Sequence, residues 1–125
     1  MLYFFIFGQN QLMSENRTAR EIVHTLPDRF KPDAAEGIEL IFHFNLEGDS
    51  GGEFTVSIAD QKCKVEDGLH GVPDCVMTTK ASIYEEIEQG KTNPQMAFMM
   101  GKIKISAIGE MLKFTNLFER SNAGQ

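Results

Sequence analysis

Three successive segments of this chain switch between apolar and polar residues at every second position, and few folds accept that pattern. In the first, Leu40, Phe42, Phe44 and Leu46 alternate with Glu39, Ile41, His43, Asn45 and Glu47. Successive side chains of a strand point to opposite faces, so this is a strand with one strongly apolar face. Gly48-Asp49-Ser50-Gly51-Gly52 makes a loop, and then Phe54, Val56 and Ile58 alternate with Glu53, Thr55 and Ser57. A tight turn at Asp60-Gln61 leads to a third segment, Cys63 and Val65 inward, Lys62, Lys64 and Glu66 outward. Three such strands in sequence with short loops predict an antiparallel meander, polar on one face.

The rest of the chain supplies helices to cover the apolar face. Thr18-Ala19-Arg20-Glu21 is a capping box, followed by Ala19, Ile22, Val23, Leu26 and Phe30 at helical spacing, with Pro27 ending or bending the helix. Asp33 to Gly37 predicts one more helical turn. Asp67-Gly68, Gly71 and Pro73 break the chain before a fourth strand, Cys75 to Thr79. Ser82-Ile83-Tyr84-Glu85 reads as a second capping box, for a helix with Ile83 and Ile87 inward that Gly90 closes. Asn93-Pro94 opens a short helix with Met96, Ala97, Phe98, Met99 and Met100, stopped at Gly101. Lys102 to Ser106 alternates as a further strand, and Gly109 leads into a last helix with Met111, Leu112, Phe114, Leu117 and Phe118 on one side. The expected fold is α+β, with a mainly antiparallel sheet of about five strands covered on one face by helices.

At 125 residues the chain is one domain by length, and its net charge of −6 argues against nucleic acid and against electrostatic capture by anionic lipid. Cys63 and Cys75 have no zinc-ligand spacing and read as reduced thiols of a cytoplasmic protein. The apolar run Leu2 to Phe7 is far shorter than the roughly 20 residues that cross a bilayer. It also lacks the basic flank and cleavage site of a signal peptide. Translation is expected to start at Met13, leaving residues 1–12 as an extension to a single domain over 13–125. If those residues belong to the protein, their apolar patch would dock on the body or on a partner chain.

No nucleophile elbow, zinc-binding HExxH, Walker loop or dinucleotide fingerprint occurs. The glycines of 48–52 lie between two antiparallel strands, with no helix to present to a phosphate. His24 reads as a surface histidine, His43 falls on the solvent side of the first strand, and His70 in the Gly-Leu-His-Gly loop. An enzyme would have to assemble a pair such as Asp67 and His70 from the loops. No cofactor or metal is implied. What stands out is apolar: the last two helices carry more Met and Phe than covering the meander requires. Methionine suits surfaces that accept variable shapes, and a helix layer lined with it over a sheet can leave a lipid cavity.

Four stretches resemble the sterol carrier protein 2 sterol-binding domain family, over roughly Ile22 to Phe118. Phe42-His43-Phe44-Asn45-Leu46-Glu47-Gly48 is similar to the family's first strand and glycine turn, and Glu53 to Asp67 to its next two strands. Tyr84 to Lys91 ends in the helix-closing Gly90-Lys91. Ala97-Phe98-Met99-Met100-Gly101-Lys102-Ile103-Lys104-Ile105 looks like the family's helix-Gly-Lys-strand signature. Ser106-Ala107 departs from the glycine common after that strand. The absence of a terminal Ser-Lys-Leu suggests a stand-alone bacterial or archaeal member without a peroxisomal address. The resemblance implies an apolar tunnel between sheet and helices for sterols, fatty acids, acyl-CoA or phospholipids. The lining would fall on Ile83, Ile87, Met96, Met99, Met100, Ile103, Ile105, Met111, Phe114 and Phe118.

The expected function is non-catalytic lipid binding and intracellular transfer, with transient membrane contact and the terminal helix as lid. The alternative is an accessory module that serves a separate lipid enzyme, or that pairs with a second copy. A small α+β enzyme ranks last, since the implied lining holds no carboxylate or histidine.

Overall fold

The structure, a computed structural model, describes residues 17–119. The expected Met13 start and the apolar extension before it lie outside the described residues. Five strands form one sheet: β1 Leu40–Glu47, β2 Gly52–Ala59, β3 Lys62–Asp67, β4 Cys75–Lys80 and β5 Ile103–Ile105, in the order β3-β2-β1-β4-β5. The pairs β1–β2, β2–β3 and β4–β5 are antiparallel, as the meander predicts. β4, however, lies parallel to β1, with Phe42 beside Cys75 and Phe44 beside Met77. The register sets Phe42 opposite Val56 and Phe44 opposite Phe54, so one apolar face runs across the sheet. Asp60 and Gln61 both take the left-handed conformation, φ 52° and 58°, as a two-residue primed hairpin turn demands.

Residues 68–74 carry the chain from β3 across the outer face to β4. Thr55 Oγ1 donates to the Gly68 carbonyl and accepts from His70 N, both at 2.8 Å. His43 Nε2 lies 2.9 Å from the His70 carbonyl. Backbone hydrogen bonds of 2.7 Å (Asp74 N to Ile41 O) and 2.8 Å (Ile41 N to the Asp74 carboxylate) close the crossing. His43 is therefore on the face the alternation gives it but is not solvated there: it is 7% exposed beneath this loop.

Four α-helices accompany the sheet: α1 Ala19–His24, α2 Ala81–Glu88, α3 Pro94–Met99 and α4 Ile108–Thr115. The capping box of α1 forms, with Glu21 N donating to Thr18 Oγ1 at 3.2 Å and Thr18 N to the Glu21 carboxylate at 2.9 Å. Pro27 opens a separate 3-10 turn, Leu26–Arg29, and a second such turn, Pro32–Ala35, replaces the expected helical turn. The second capping box does not form. β4 runs straight into α2, whose N-cap is Lys80 without a side-chain bond. The Glu85 carboxylate accepts instead from Ala19 N at 2.7 Å, fastening α2 to the start of α1.

Both Gly-Lys pairs end helices in the same way. Gly90 N donates to Ile87 O and Lys91 N to Glu86 O, and Gly101 N to Phe98 O and Lys102 N to Ala97 O. These are the paired bonds of a Schellman stop, with Gly90 and Gly101 left-handed at φ 77° and 80°. α1, α2 and α4 all cover the apolar face. The Arg20 guanidinium lies 5.0 Å from the centre of the Phe54 ring, His24 meets the same ring edge-on, and Tyr84 meets Phe44 edge-on.

Candidate functional site

The helix layer is most aromatic over β1. In α4 the inward positions are Met111, Phe114 and, just past its end, Leu117, the i, i+3, i+6 line of a helix face. The Phe114 ring stacks on Phe42 with centroids 4.2 Å apart and planes 28° apart, and meets Phe44 edge-on at 5.7 Å. It also tilts against Phe118 at 4.8 Å, and Phe118 meets Phe30 at 5.6 Å. With Tyr84 against Phe44 this makes a continuous aromatic seam from α2 through β1 and α4 to the first 3-10 turn. Phe114 fills the space between α4 and the sheet.

α4 is held at its two ends. Before it, Ser106 N donates to Val76 O at 3.0 Å and Ser106 Oγ accepts from Val76 N at 2.8 Å. After it, Phe118 bridges to Phe30, Lys31 N donates to Leu117 O at 2.7 Å and Glu119 N to Arg29 O at 2.8 Å. Gly109, expected to lead into this helix, is its second residue.

Of the residues that the resemblance assigns to a lining, Ile103 and Phe114 are buried. Ile83, Ile87, Ile105, Met111 and Phe118 are half-buried against the core. Met96, Met99 and Met100 lie at the surface, 56%, 79% and 65% exposed. α3 has only six residues between Pro94 and its glycine stop, and the one it buries is Ala97. Leu112, expected on the apolar side of the last helix, faces out at 60% exposure because the buried line runs through its neighbours Met111 and Phe114. Phe42 and Phe44 read from sequence as core alone, yet they are the floor on which Phe114 stands. The period-two alternation carried that signal without naming the partner.

The ionisable groups serve structure. Burial, and then the charge of Glu88, pushes the Tyr84 phenol above its ordinary range, so it stays neutral. Glu88 sits between Arg17 and Arg29, at 3.5 and 3.4 Å. Asp67 and His70 do not form a side-chain pair. The Asp67 carboxylate takes His24 at 2.9 Å and Arg20 at 3.0 Å, while the His70 ring bonds the Asp67 carbonyl. Both cysteines are free thiols, and burial pushes Cys63 up to about 12. Among the described residues no cluster of three or more His, Cys, Asp or Glu is placed to hold a metal, and no helix is long and apolar enough to cross a membrane.

A separate cleft of about 480 Å³ opens where β4 and β5 meet the start of α2. Lys80, Lys102, Lys104, Glu47, Ser82 and Gly101 line it.

The sequence profile of the SCP-2 sterol transfer family matches residues 21–119. Mouse hydroxysteroid dehydrogenase-like protein 2 is 28% identical over 108 residues, which is 82% of this chain but 21% of that protein. The chain thus spans about a fifth of that relative's length. Human sterol carrier protein 2 is 33% identical over 81 residues, 62% of this chain and 15% of that one. The solution structure of the sterol carrier protein domain 2 of Helicoverpa armigera superposes with a TM-score of 0.61 at 28% identity, over 87% of this chain and 91% of that one.

Proposed function

This chain belongs to the SCP-2 sterol transfer family, and on that premise we propose that it binds a long apolar lipid between α4 and the sheet and carries it through the cytoplasm without chemical change. The observation that carries the reading is the placement of Phe114. One ring occupies the space over Phe42 and Phe44, under a short helix held mainly at its ends. Displacing that ring would open a slot walled by Ile83, Ile87, Ile103, Ile105, Met111 and Phe118. These side chains partition hydrocarbon and carry no proton to a reaction. A sixteen-carbon chain gains on the order of 12 kcal/mol on leaving water, at about 0.8 per methylene. A membrane offers about the same, so loading and unloading are near balance, as a carrier requires.

The test is native mass spectrometry of the purified chain together with fatty-acid titration of Phe114→Trp. The protein has no other tryptophan, so that ring reports alone. A co-purifying lipid near one per chain, with an emission shift on adding palmitate, supports the reading. A ligand-free mass with unchanged emission overturns it. A second reading has its own support, since the chain matches only 21% of a larger dehydrogenase-like relative: it would present lipid to a separate enzyme. A stable stoichiometric partner in a pull-down distinguishes that reading from a free carrier.

A further inference from the structure

The face formed by α3, its glycine stop and the lysine cleft has no part in the aromatic seam. Six of the eight large apolar residues exposed in the described structure lie between Met96 and Leu112, four of them on α3 and its C-cap: Met96, Phe98, Met99 and Met100. Gly101 joins this apolar tip directly to the cleft holding Lys80, Lys102 and Lys104. Among the described residues none of these three lysines has an ion-pair partner. Glu47 is the single carboxylate that lines the cleft.

The net charge of −6 hides this arrangement. From Gly90 to Phe118 the chain carries Lys91, Lys102, Lys104 and Lys113 against Glu110 alone, and Glu110 is taken up by Lys113 at 3.4 Å. The other acidic residues lie elsewhere. At physiological ionic strength charges are screened beyond about 8 Å, so a surface meeting this face senses its lysines rather than the whole molecule's excess acid. Flexible thioethers beside unpaired ammonium groups match the boundary of an anionic bilayer, where acyl chains lie just below phosphates.

We propose that this face docks the protein on anionic phospholipid membranes, Met99 and Met100 entering the acyl boundary while Lys80, Lys102 and Lys104 take headgroup phosphates. The proposal rests on the lipid-carrier reading for its purpose, but the two are tested separately. The experiment is co-sedimentation of the full chain with phosphatidylcholine vesicles, with and without phosphatidylglycerol, beside uptake of a fluorescent fatty acid in vesicle-free buffer. Binding is expected only with phosphatidylglycerol present and should weaken with salt. Lys102→Gln with Lys104→Gln should weaken it about thirtyfold, about fivefold per lysine. Met99→Ser with Met100→Ser should abolish it, and both positions are exposed enough for the fold to tolerate the change. Both double variants should keep vesicle-free uptake.

Equal binding to both compositions, or unchanged binding of both variants, overturns the proposal. Loss of vesicle-free uptake in the methionine variant also overturns it, by placing those side chains in the ligand slot. A vesicle-free dimer that the methionine variant breaks would assign the face to a second copy instead. If the wild type takes up no fatty acid but sediments as expected, the carrier reading fails and the docking face stands.

Discussion

Gly101 has φ +80°, and no atom lies within 4 Å of the place a Cβ would take. Its cost of substitution is therefore a matter of backbone conformation alone. A left-handed alanine costs roughly 1–2 kcal/mol, so Gly101→Ala should lower the unfolding free energy by about 1 kcal/mol in urea titration. Gly51 gives the contrast. A Cβ there would run into the Leu46 carbonyl, a backbone atom fixed by the β1–β2 register, so Gly51→Ala should cost clearly more. If both variants unfold like the wild type, the glycines are spacers and the Schellman stop does not set where α3 ends. The Lys102 that follows is what the stop aims toward the cleft, so this residue-level device also positions the proposed docking face.

Between elements, one carboxylate links α1 to the end of β3. Arg20 and His24 are one turn apart on α1, and both reach Asp67 Oδ1. The hydrogen bond from His24, with the Arg20 charge beside it, holds the Asp67 carboxyl below its ordinary value of 3.8. A folded value below the unfolded one means that the bridge stabilises the fold above about pH 3.8 and that the contribution is lost as pH falls through the lowered value. Asp67→Asn should then be less stable than the wild type near neutrality, and the two urea midpoints should converge at strongly acid pH. Because Asp67 is exposed the difference is modest; midpoints that stay parallel down the acid limb would remove the bridge from the account.

At this same scale the limits of the sequence are visible. The alternation of Leu40–Leu46 and Phe54–Ile58, the Thr18 capping box and the two Gly-Lys stops are local signals, and each was legible. The parallel pairing of β4 with β1 depends on a crossing over the outer face that no local pattern encodes, which is why His43 read as solvated. The Ser82 capping box failed because Glu85 found a distant partner in Ala19 N. The methionines of α3 looked inward because composition counts apolar residues without saying which way a six-residue helix turns.

For the whole molecule the question is how a filled interior admits a ligand. The described core is closed over β1 by Phe114, and a lipid entering there must displace that ring. Losing a buried phenylalanine costs about 3–5 kcal/mol, against the roughly 12 kcal/mol a sixteen-carbon chain gains on leaving water. The exchange is favourable, but the displaced ring reduces the net gain. Palmitate at about a hundredfold excess over its Kd should stabilise the protein by about 2.7 kcal/mol. For a chain of this size that raises Tm by roughly 10 °C. Phe114→Ala sharpens the argument. It should be less stable without ligand, yet at equal palmitate concentration its Tm should rise further than the wild type's, because the slot is already vacated and the ligand refills it. Calorimetric scans of both proteins decide the matter. A rise in the variant no larger than in the wild type would mean that the lipid does not use the place of Phe114, and the slot between α4 and the sheet would lose its claim to be the binding site.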